Sequence, residues 1–211
     1  MESNKIEATK QRVEEFLRRT GMHVDDADFS HILEMLQSEM ATGLAGEKSS
    51  LAMIPTYIEA EEEVPVETPV LTLDAGGTNF RTAILSFAAD GSPRIDEYRK
   101  YPMPGTTGHV ERDEFFDIIA GRTSELYDSS SRIGFCFSYP TEISANRDGK
   151  LLHFSKEIQA PAVEGEYVGY QLTRALARAG VTKEPHIVVL NDTVATLLAA
   201  KTAGSMEHFD T

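Results

Sequence analysis

The sequence predicts an α/β protein in which a mixed β-sheet carries helices on its faces. Three observations support this fold class. The 211 residues are 41% apolar and 26% charged, which is enough to bury a core and excludes disorder and collagen. From Val70 apolar residues recur with period two, which indicates strands, and from Glu114 onward helical and strand patterns alternate. Strands followed by alternating helices and strands are typical of a mixed sheet.

The N-terminal segment, residues 1–58, is predicted to contain two helices. Apolar residues recur at helical spacing in both, most clearly from Phe29 to Leu44, and Gly21 and Gly46 are predicted to close them. The apolar stripes are narrow and the outer faces are charged. Each helix is therefore expected to pack on a neighbouring body and to have a structural role.

An acidic run with two prolines, residues 59–69, is predicted to be a linker. It separates the N-terminal helices from the main domain at 70–204. A tail follows at 205–211.

The main domain opens with a predicted three-strand antiparallel meander. Its strands are VLTLDA, FRTAILSF and RIDEYRKYPM, with turns at Gly76-Gly77 and Asp90-Gly91. The remaining elements are, in order, a helix from Glu114 to Tyr127, a strand from Arg132 to Ser138, a helix from Glu166 to Ala179, a strand at 186–190 and a helix from Thr193 to Ala203.

Charge and hydropathy exclude several classes of protein. The net charge is −14, from 20 Lys and Arg against 34 Asp and Glu, so neither nucleic acid nor an anionic membrane surface is expected as a partner. No apolar run approaches the ~18 residues of a membrane span, and the polar N-terminus does not look like a signal peptide. A cytoplasmic location is expected. The single cysteine, Cys136, lies in an apolar run and is interpreted as a buried structural thiol.

The first group of polar residues is LDAGGTNFR, residues 73–81. Adjacent glycines let the backbone turn tightly and bring N–H groups close to a ligand, while Thr78, Asn79 and Arg81 add donors and charge. This composition indicates a phosphate cradle. Asp74 can hold Mg²⁺ directly or through water, because magnesium is bound by one or two carboxylates together with phosphate oxygens. A plain hairpin with a Gly-Gly turn explains the same residues equally well.

Two further groups of polar residues follow apolar runs. FSYP (137–140) ends a buried strand in Ser138, and LLHFSKE (151–157) places the Ser155 hydroxyl beside the Lys156 ammonium. Ligands of α/β sheets bind where strands end, which makes these side chains candidates for substrate contact. Each signal is weak in isolation, since such side chains are usually solvated.

The fourth group, in VVLNDTVATLLAA (188–200), runs from an apolar strand through Asn191 and Asp192 into a helix. An Asp just past a buried strand can accept the proton of a substrate hydroxyl, a role that contributes roughly 10²–10⁴ in rate. The alternative is an ordinary helix N-cap formed by Asp192 or Thr193.

Other nucleotide and metal motifs are missing from the sequence. GLAGEKS (43–49) does not have the Gly-Lys-Ser order of a Walker loop, there is no GxGxxG, and the six histidines are never paired at ligand spacing. P-loop, Rossmann and zinc interpretations are therefore not favoured.

Together and in this order, the four groups resemble the motifs of the hexokinase family of ATP-dependent sugar kinases. LDAGGTNFR is similar to the family's first phosphate motif, FCFSYP to its FTFSFP segment, LLHFSK followed by VEGEYV to its sugar-binding stretch, and VVLNDTVATLL to its VNDTVATML segment. The segment AMIPTYI (52–58) also resembles the family, so the resemblance runs from about residue 5 to residue 204. It implies a ribonuclease-H-like, or actin-like ATPase, small domain with a mixed five-stranded sheet, preceded by N-terminal helices.

The resemblance implies a role for each group of residues. The ATP phosphates would be bound by Gly76, Gly77, Thr78, Asn79 and Arg81, and the magnesium by Asp74. The sugar would be bound by Ser138, Ser155, Lys156, Asn191 and Asp192. The catalytic residues would be Asp192 and Lys156. Asp192 would be the base that takes the proton of the 6-hydroxyl of glucose, or a related hexose, as it attacks the γ-phosphoryl group of ATP.

The sequence departs from the family at several positions, most of them in the sugar-binding stretch. Ala75 replaces a larger aliphatic residue, Phe154 a tryptophan, Ser155 a threonine, and Glu157-Ile158 the pair Gly-Phe. Because Glu157 adds a negative charge beside Lys156, differences in sugar specificity are expected here.

The family's second phosphate loop, its two sugar-binding glutamates and its adenosine site are not found before Thr211. The resemblance therefore predicts that the chain is about the N-terminal half of a hexokinase, that its partner is the missing large domain, and that it is inactive alone. A non-catalytic sugar-sensing or interaction module derived from the same fold is the alternative. An actin-like or chaperone-like ATPase would not need the four groups together.

Overall fold

The computed structural model of the chain describes residues 2–51, 53–58, 65–154 and 157–202. They form two compact units that divide between Ile54 and Pro55. The helices are α1 (Glu2–Arg19), α2 (Phe29–Leu44), α3 (Arg112–Ser124), α4 (Val168–Arg178) and α5 (Asp192–Thr202), with 3-10 turns at Val24–Asp26, Tyr127–Ser129 and Pro161–Val163. The strands are β1 (Val70–Ala75), β2 (Asn79–Phe87), β3 (Pro93–Pro102), β4 (Arg132–Phe137), β5 (Thr141–Ile143), β6 (Gly149–Leu151) and β7 (His186–Leu190). Across these described ranges, no helix has the length and apolar character needed to cross a membrane.

The N-terminal unit contains the two helices predicted there. Asp28 begins α2, because its carboxylate accepts a hydrogen bond from the His31 amide at 3.0 Å. Gly21 and Gly46 have φ values of 68° and 75° just past the two helices, so both glycines close them as predicted. The large apolar side chains of α2 are 36 to 70% exposed. The predicted packing of this stripe on a neighbouring body stays a prediction.

The second unit is built on the predicted mixed sheet, which has five strands in the order β3-β2-β1-β4-β7. β1 pairs antiparallel with β2, and β2 with β3, which is the predicted meander. β1, β4 and β7 run parallel to one another. Parallel neighbours need crossover connections, and α3 and α4 lie in the two segments that supply them.

Burial alternates along the strands and separates the two faces of the sheet. In β1, Leu71, Leu73 and Ala75 are at most 1% exposed, whereas the intervening Thr72 and Asp74 are half-buried. The buried residues of β1, β2 and β4 form one continuous core with those of α3 and α4. Because Asp74 lies on the opposite face, the strand can carry a carboxylate without burying an unpaired charge.

A two-stranded hairpin, formed by β5 and β6, is an element that the sequence does not predict. Each strand has three residues, too few for a period-two pattern to be recognised. The Val189 amide donates a hydrogen bond to the Arg147 carbonyl at 2.9 Å, which holds the loop of this hairpin beside β7.

The predicted linker and tail fall mostly outside the described residues, which do not include 59–64 or 203–211. The described end of the linker leads directly into β1. There the Glu67 amide donates to the Phe87 carbonyl at 2.7 Å. The predicted boundaries at 58, 69 and 204 stay predictions.

Candidate active site

Three of the predicted groups lie at one edge of the sheet, because they follow the carboxyl ends of the parallel strands β1, β4 and β7. Asp74 pairs in register with Cys136, and Cys136 pairs in register with Leu190. The turn after β1, Ser138 after β4 and Asn191 after β7 are therefore placed just past neighbouring strands, which lie ~4.8 Å apart. In an α/β sheet this edge is where ligands bind.

The predicted phosphate turn connects β1 to β2 and consists of Gly76, Gly77, Thr78 and Asn79. The Gly76 amide donates to the Asn79 carbonyl at 3.0 Å, which closes the turn. The Asn79 side-chain amide donates to the Thr78 hydroxyl at 2.8 Å, and the Thr78 carbonyl accepts from the Met103 amide at 3.0 Å. The hairpin that the sequence allowed as the simpler alternative is therefore present.

Neither backbone conformation nor internal crowding requires a glycine at Gly76. Its φ lies outside the left-handed region, and a Cβ built on it would lie 3.4 Å from the Asn79 carbonyl oxygen and 3.9 Å from Arg81 Nη1. Both are ordinary van der Waals distances, so the chain itself would accept alanine.

Asp74 and Arg81 are cross-strand partners in β1 and β2, and their side chains form an ion pair between Oδ2 and Nη1. Each side chain is 37% exposed. The hydrogen bond to Asp74 raises the pKa of Arg81, which keeps the guanidinium charged. The structure thus brings the predicted metal ligand and a predicted phosphate ligand together.

Asp74 is the predicted ligand for magnesium at this edge. In the part of the chain that the structure describes, no group of three or more His, Cys, Asp or Glu side chains could hold a metal ion. Magnesium that arrives with a nucleotide needs only one or two carboxylates besides the phosphate oxygens. Asp74, whose Oδ2 pairs with Arg81, supplies one such carboxylate.

Ser138 continues the line of β4 past the end of the strand. Its amide donates to the Ala75 carbonyl at 3.2 Å, and its half-buried hydroxyl lies 3.9 Å from Cys136 Sγ. The Cys136 thiol, predicted to be buried, is only partly buried. The reason is that Cys136 shares the sheet face of its partner Asp74, away from the core.

The helix α5 begins at Asp192, directly after β7, and Asn191 caps it. The Asn191 side-chain oxygen accepts hydrogen bonds from the Thr193 amide at 3.0 Å and the Thr193 hydroxyl at 2.8 Å. The N-cap is thus Asn191, and not Asp192 or Thr193 as the N-cap alternative proposes. Asp192 is exposed, and its Oδ1 accepts from the same amide at 2.9 Å. This carboxylate lies on the first residue of α5, at the edge of the sheet.

The predicted sugar-binding and catalytic pair Ser155 and Lys156 lies outside the described residues. The chain on each side of this pair is held by contacts with the rest of the unit. The Phe154 amide donates to Glu164 Oε1 at 2.9 Å, and Ile158 is 9% exposed in the core.

Tyr139 lies at the site and was missed by sequence reasoning. It is 1% exposed, and its hydroxyl donates to the Gly76 carbonyl at 2.6 Å. Its ring meets the Phe154 ring edge-on, with centroids 4.9 Å apart at 88°. The available signal was a tyrosine at the end of a buried strand, because a buried phenol needs a partner for its hydroxyl.

Comparison with known proteins identifies the family. The sequence profile described as Hexokinase matches residues 12–202. Hexokinase-3 from Rattus norvegicus is 32% identical over 170 residues, which are 78% of this chain and 18% of that protein. Hexokinase-1 from Schizosaccharomyces pombe is 31% identical over 179 residues, 82% of this chain and 37% of that protein.

Solved structures agree with the sequence comparison. The structure of a hexokinase from Schistosoma mansoni complexed with glucose matches with a TM-score of 0.71 at 28% identity, covering 91% of this chain and 44% of that chain. A second hexokinase crystal structure, with a TM-score of 0.61 at 22% identity, supports the fold alone. The chain spans less than half the length of each of these relatives. The expected actin-like ATPase fold is confirmed, and the chain belongs to the hexokinase family.

Proposed function

We propose that this chain carries part of the sugar and phosphate sites of an ATP:hexose 6-phosphotransferase. The enzyme would transfer the γ-phosphoryl group of ATP to the 6-hydroxyl of glucose or a related hexose. The observation that carries the proposal is the strand register, which places the turn after β1, Ser138 and the Asn191-Asp192 pair at one sheet edge. Membership of the hexokinase family and the likeness to a hexokinase complexed with glucose support the reaction and the sugar.

Asp192 is the general base of the proposed reaction. Its carboxylate is exposed at the start of α5, where a substrate hydroxyl can reach it. It takes the proton of the 6-hydroxyl as that oxygen forms a bond to the γ-phosphorus, while the bond from this phosphorus to the bridging oxygen breaks and ADP leaves. Asn191 holds the first turn of α5 through its bonds to Thr193, which fixes the backbone that carries the base.

The turn at 76–79 and Arg81 bind the phosphates of ATP in this proposal. The position of the turn at the carboxyl edge of the sheet and the charge of Arg81 support this role. Asp74 would hold the magnesium that ATP carries, directly or through water. When bound, that ion neutralises charge on the phosphates, and phosphoryl transfer depends mainly on such neutralisation and on in-line placement.

The sugar would be held at this edge of the sheet. The proposed contacts are Ser138, Ser155, Lys156, Asn191 and Asp192. In domain terms, residues 70–204 are proposed to be the small domain of the enzyme, preceded by the helical segment 1–58 and the linker 59–69. Since the chain spans only 18 to 44% of the relatives quoted, it is proposed to bind both ligands weakly and to be inactive by itself.

The test is a coupled assay of ADP release on the longest protein that contains this chain. Glucose-dependent release is expected, and Asp192→Asn is expected to lower kcat by about 10²–10⁴ because the base is lost. Asp128→Asn is the matched control. It removes an exposed carboxylate just before β4, at the opposite end of that strand, and should leave kcat unchanged.

Two results would contradict the proposal: ADP release that does not depend on glucose, or an Asp192→Asn enzyme as fast as the wild type. Glucose binding without any ADP release would favour the alternative, a non-catalytic sugar-sensing module.

A further inference from the structure

We propose that Tyr139 is a positioning residue of the phosphate turn: its buried hydroxyl holds the Gly76 carbonyl and thereby aims the Gly77 amide at a phosphate of the nucleotide. The inference rests on the proposed function, because it requires that the turn at 76–79 binds phosphate.

The Tyr139 side chain is held firmly enough to act as an anchor. It is 1% exposed, and its ring packs against those of Phe137 and Phe154, with centroids 4.9 Å away in each case. The hydroxyl donates to the Gly76 carbonyl at 2.6 Å, across 63 residues of sequence. A ring held by aromatic neighbours leaves its hydroxyl little room to swing away from this acceptor.

Fixing the Gly76 carbonyl also fixes the direction of the next amide. The peptide bond between Gly76 and Gly77 is trans. In a planar trans peptide, the carbonyl and the following N–H point in opposite directions. Because the Gly76 carbonyl points to the buried Tyr139 hydroxyl, the Gly77 N–H points away from it. Two consecutive glycines have no side chains that restrict their backbone conformation. This hydrogen bond therefore restricts the backbone in their place.

The hydroxyl remains a donor under all ordinary conditions. Burial, and to a lesser degree the charge of Asp74, raises the pKa of the Tyr139 phenol well above its usual range. The phenol therefore stays protonated, and its single proton is committed to the Gly76 carbonyl.

The experiment compares Tyr139→Phe with Tyr127→Phe in the 211-residue chain labelled with ¹⁵N at glycine. Tyr127 is a matched control, because it is 7% exposed and its hydroxyl donates to the Lys183 carbonyl at 2.7 Å, just before β4 and β7 begin. The Gly77 resonance is assigned by its loss in Gly77→Ala. Titrations use MgATP and, separately, glucose, and thermal unfolding shows that each variant is folded.

Tyr139→Phe is expected to shift the Gly77 amide resonance before any ligand is added. It should raise the dissociation constant for MgATP about three- to tenfold, the effect of losing one hydrogen bond. Glucose affinity should not change, and Tyr127→Phe should alter neither Gly77 nor MgATP affinity. Both variants are expected to lose some thermal stability, so stability alone does not support the proposal. If Tyr139→Phe is too unstable, the comparison is repeated in the Thr82→Val background, which removes a buried hydroxyl that has no hydrogen-bond partner among the described residues.

A Tyr139→Phe chain with the wild-type Gly77 resonance and the wild-type MgATP affinity would overturn the proposal. Equal losses of MgATP affinity in both variants would also overturn it, since they would reflect general loosening. A wild-type chain in which MgATP moves no glycine resonance would refute phosphate binding by the turn itself. This outcome would contradict the proposed function and not only the role of Tyr139, because it is observed in the wild-type chain.

Discussion

Thr82, in β2, has a buried hydroxyl group that does not stabilise the fold. The residue is 0% exposed, and its Oγ1 has no hydrogen-bond partner among the residues that the structure describes. Thr123 in α3 is equally buried, but its hydroxyl donates to the Ile119 carbonyl at 2.8 Å. A buried hydroxyl without a partner costs about 1–3 kcal/mol in desolvation, whereas a bonded one recovers that cost.

Thr82→Val is therefore expected to stabilise the second unit by about 1 kcal/mol, because valine keeps the shape and the preference for a strand without the hydroxyl. Thr123→Val, the control, is expected to give no gain, because it removes a hydroxyl that has a partner. Urea unfolding of both variants measures the difference. A loss of stability in Thr82→Val as large as in Thr123→Val would show that the Thr82 hydroxyl is paired after all.

Residue identity alone identified three of the polar residues that the fold brings to one edge of the sheet. Asp74, Ser138 and Asp192 were candidates because polar residues at the ends of apolar strands are visible in a linear pattern. The role of Tyr139 could not be predicted, since its hydroxyl bonds to a carbonyl 63 residues earlier and only the folded sheet brings the two together. The capping role of Asn191 likewise depends on where α5 begins, and helix ends are the least predictable feature of a helix.

At the scale of elements, the N-terminus of α4 is capped by a side chain from a loop that lies well before the helix in the sequence. Asp148, in the loop of the β5–β6 hairpin, accepts hydrogen bonds on Oδ1 from the Gly149 and Gly169 amides, both at 2.7 Å, and on Oδ2 from the Tyr170 amide at 2.9 Å. Tyr167, the residue at the N-cap position, makes no side-chain cap bond. A Cβ at Gly169 would lie 2.7 Å from Asp148 Oδ1, which explains why a glycine is needed there.

Asp148→Asn is expected to destabilise the second unit by about 1.5–3 kcal/mol, the range for hydrogen bonds to a charged group. The amide has one acceptor oxygen, and its NH₂ group would face a backbone donor in place of the second carboxylate oxygen. Asp128→Asn, which changes an exposed aspartate near β4, serves as the control and should have no effect. Urea unfolding measures both. Equal stability of the two variants would mean that the hairpin does not stabilise α4 in this way.

The same cap shows why some element boundaries could not be predicted. The helical pattern predicted α4 from Glu166, but the helix begins at Val168, where the cap from Asp148 is located. The number and type of elements in the sheet were predicted correctly, because burial on one face imposes a strong period-two pattern on β1, β2 and β4. The β5–β6 hairpin was missed because three-residue strands are too short to carry such a pattern.

At the scale of the whole molecule, the two units differ in how much apolar surface they bury. The second unit has a continuous core between the sheet and α3 and α4. In the first unit, among the described positions from 5 to 54, Gly43 alone is buried. Narrow apolar stripes with charged outer faces already predicted helices without a core of their own. With so little apolar area removed from water, the first unit depends on local hydrogen bonds.

Glu39 makes several of those bonds between α2 and the segment that follows it. Its Oε2 accepts from the Ser50 amide at 2.7 Å and from the Ser49 and Ser50 hydroxyls at 2.8 and 2.9 Å. The Ser50 amide, followed by the two hydroxyls, lowers the pKa of Glu39 below its ordinary value. A carboxylate whose pKa is lower in the folded than in the unfolded chain stabilises the fold above the unfolded value. That stability is lost as the pH falls through the folded value.

Acid is therefore expected to unfold the end of α2 and the Ser49–Ser50 segment before it affects the sheet, beginning below about pH 4.3, the ordinary pKa of glutamate. Glu39→Gln should remove this acid step, because glutamine does not titrate, and should leave the segment less protected at neutral pH. Glu34→Gln, an exposed change on the same helix, should keep the step. Amide hydrogen exchange of residues 39–51 between pH 6 and pH 3 measures all three proteins, corrected for the intrinsic pH dependence of exchange. An acid step of the same size in Glu39→Gln would assign the step to another carboxylate. Unfolding of the sheet at a higher pH than α2 would contradict the conclusion that the first unit is the less stable one.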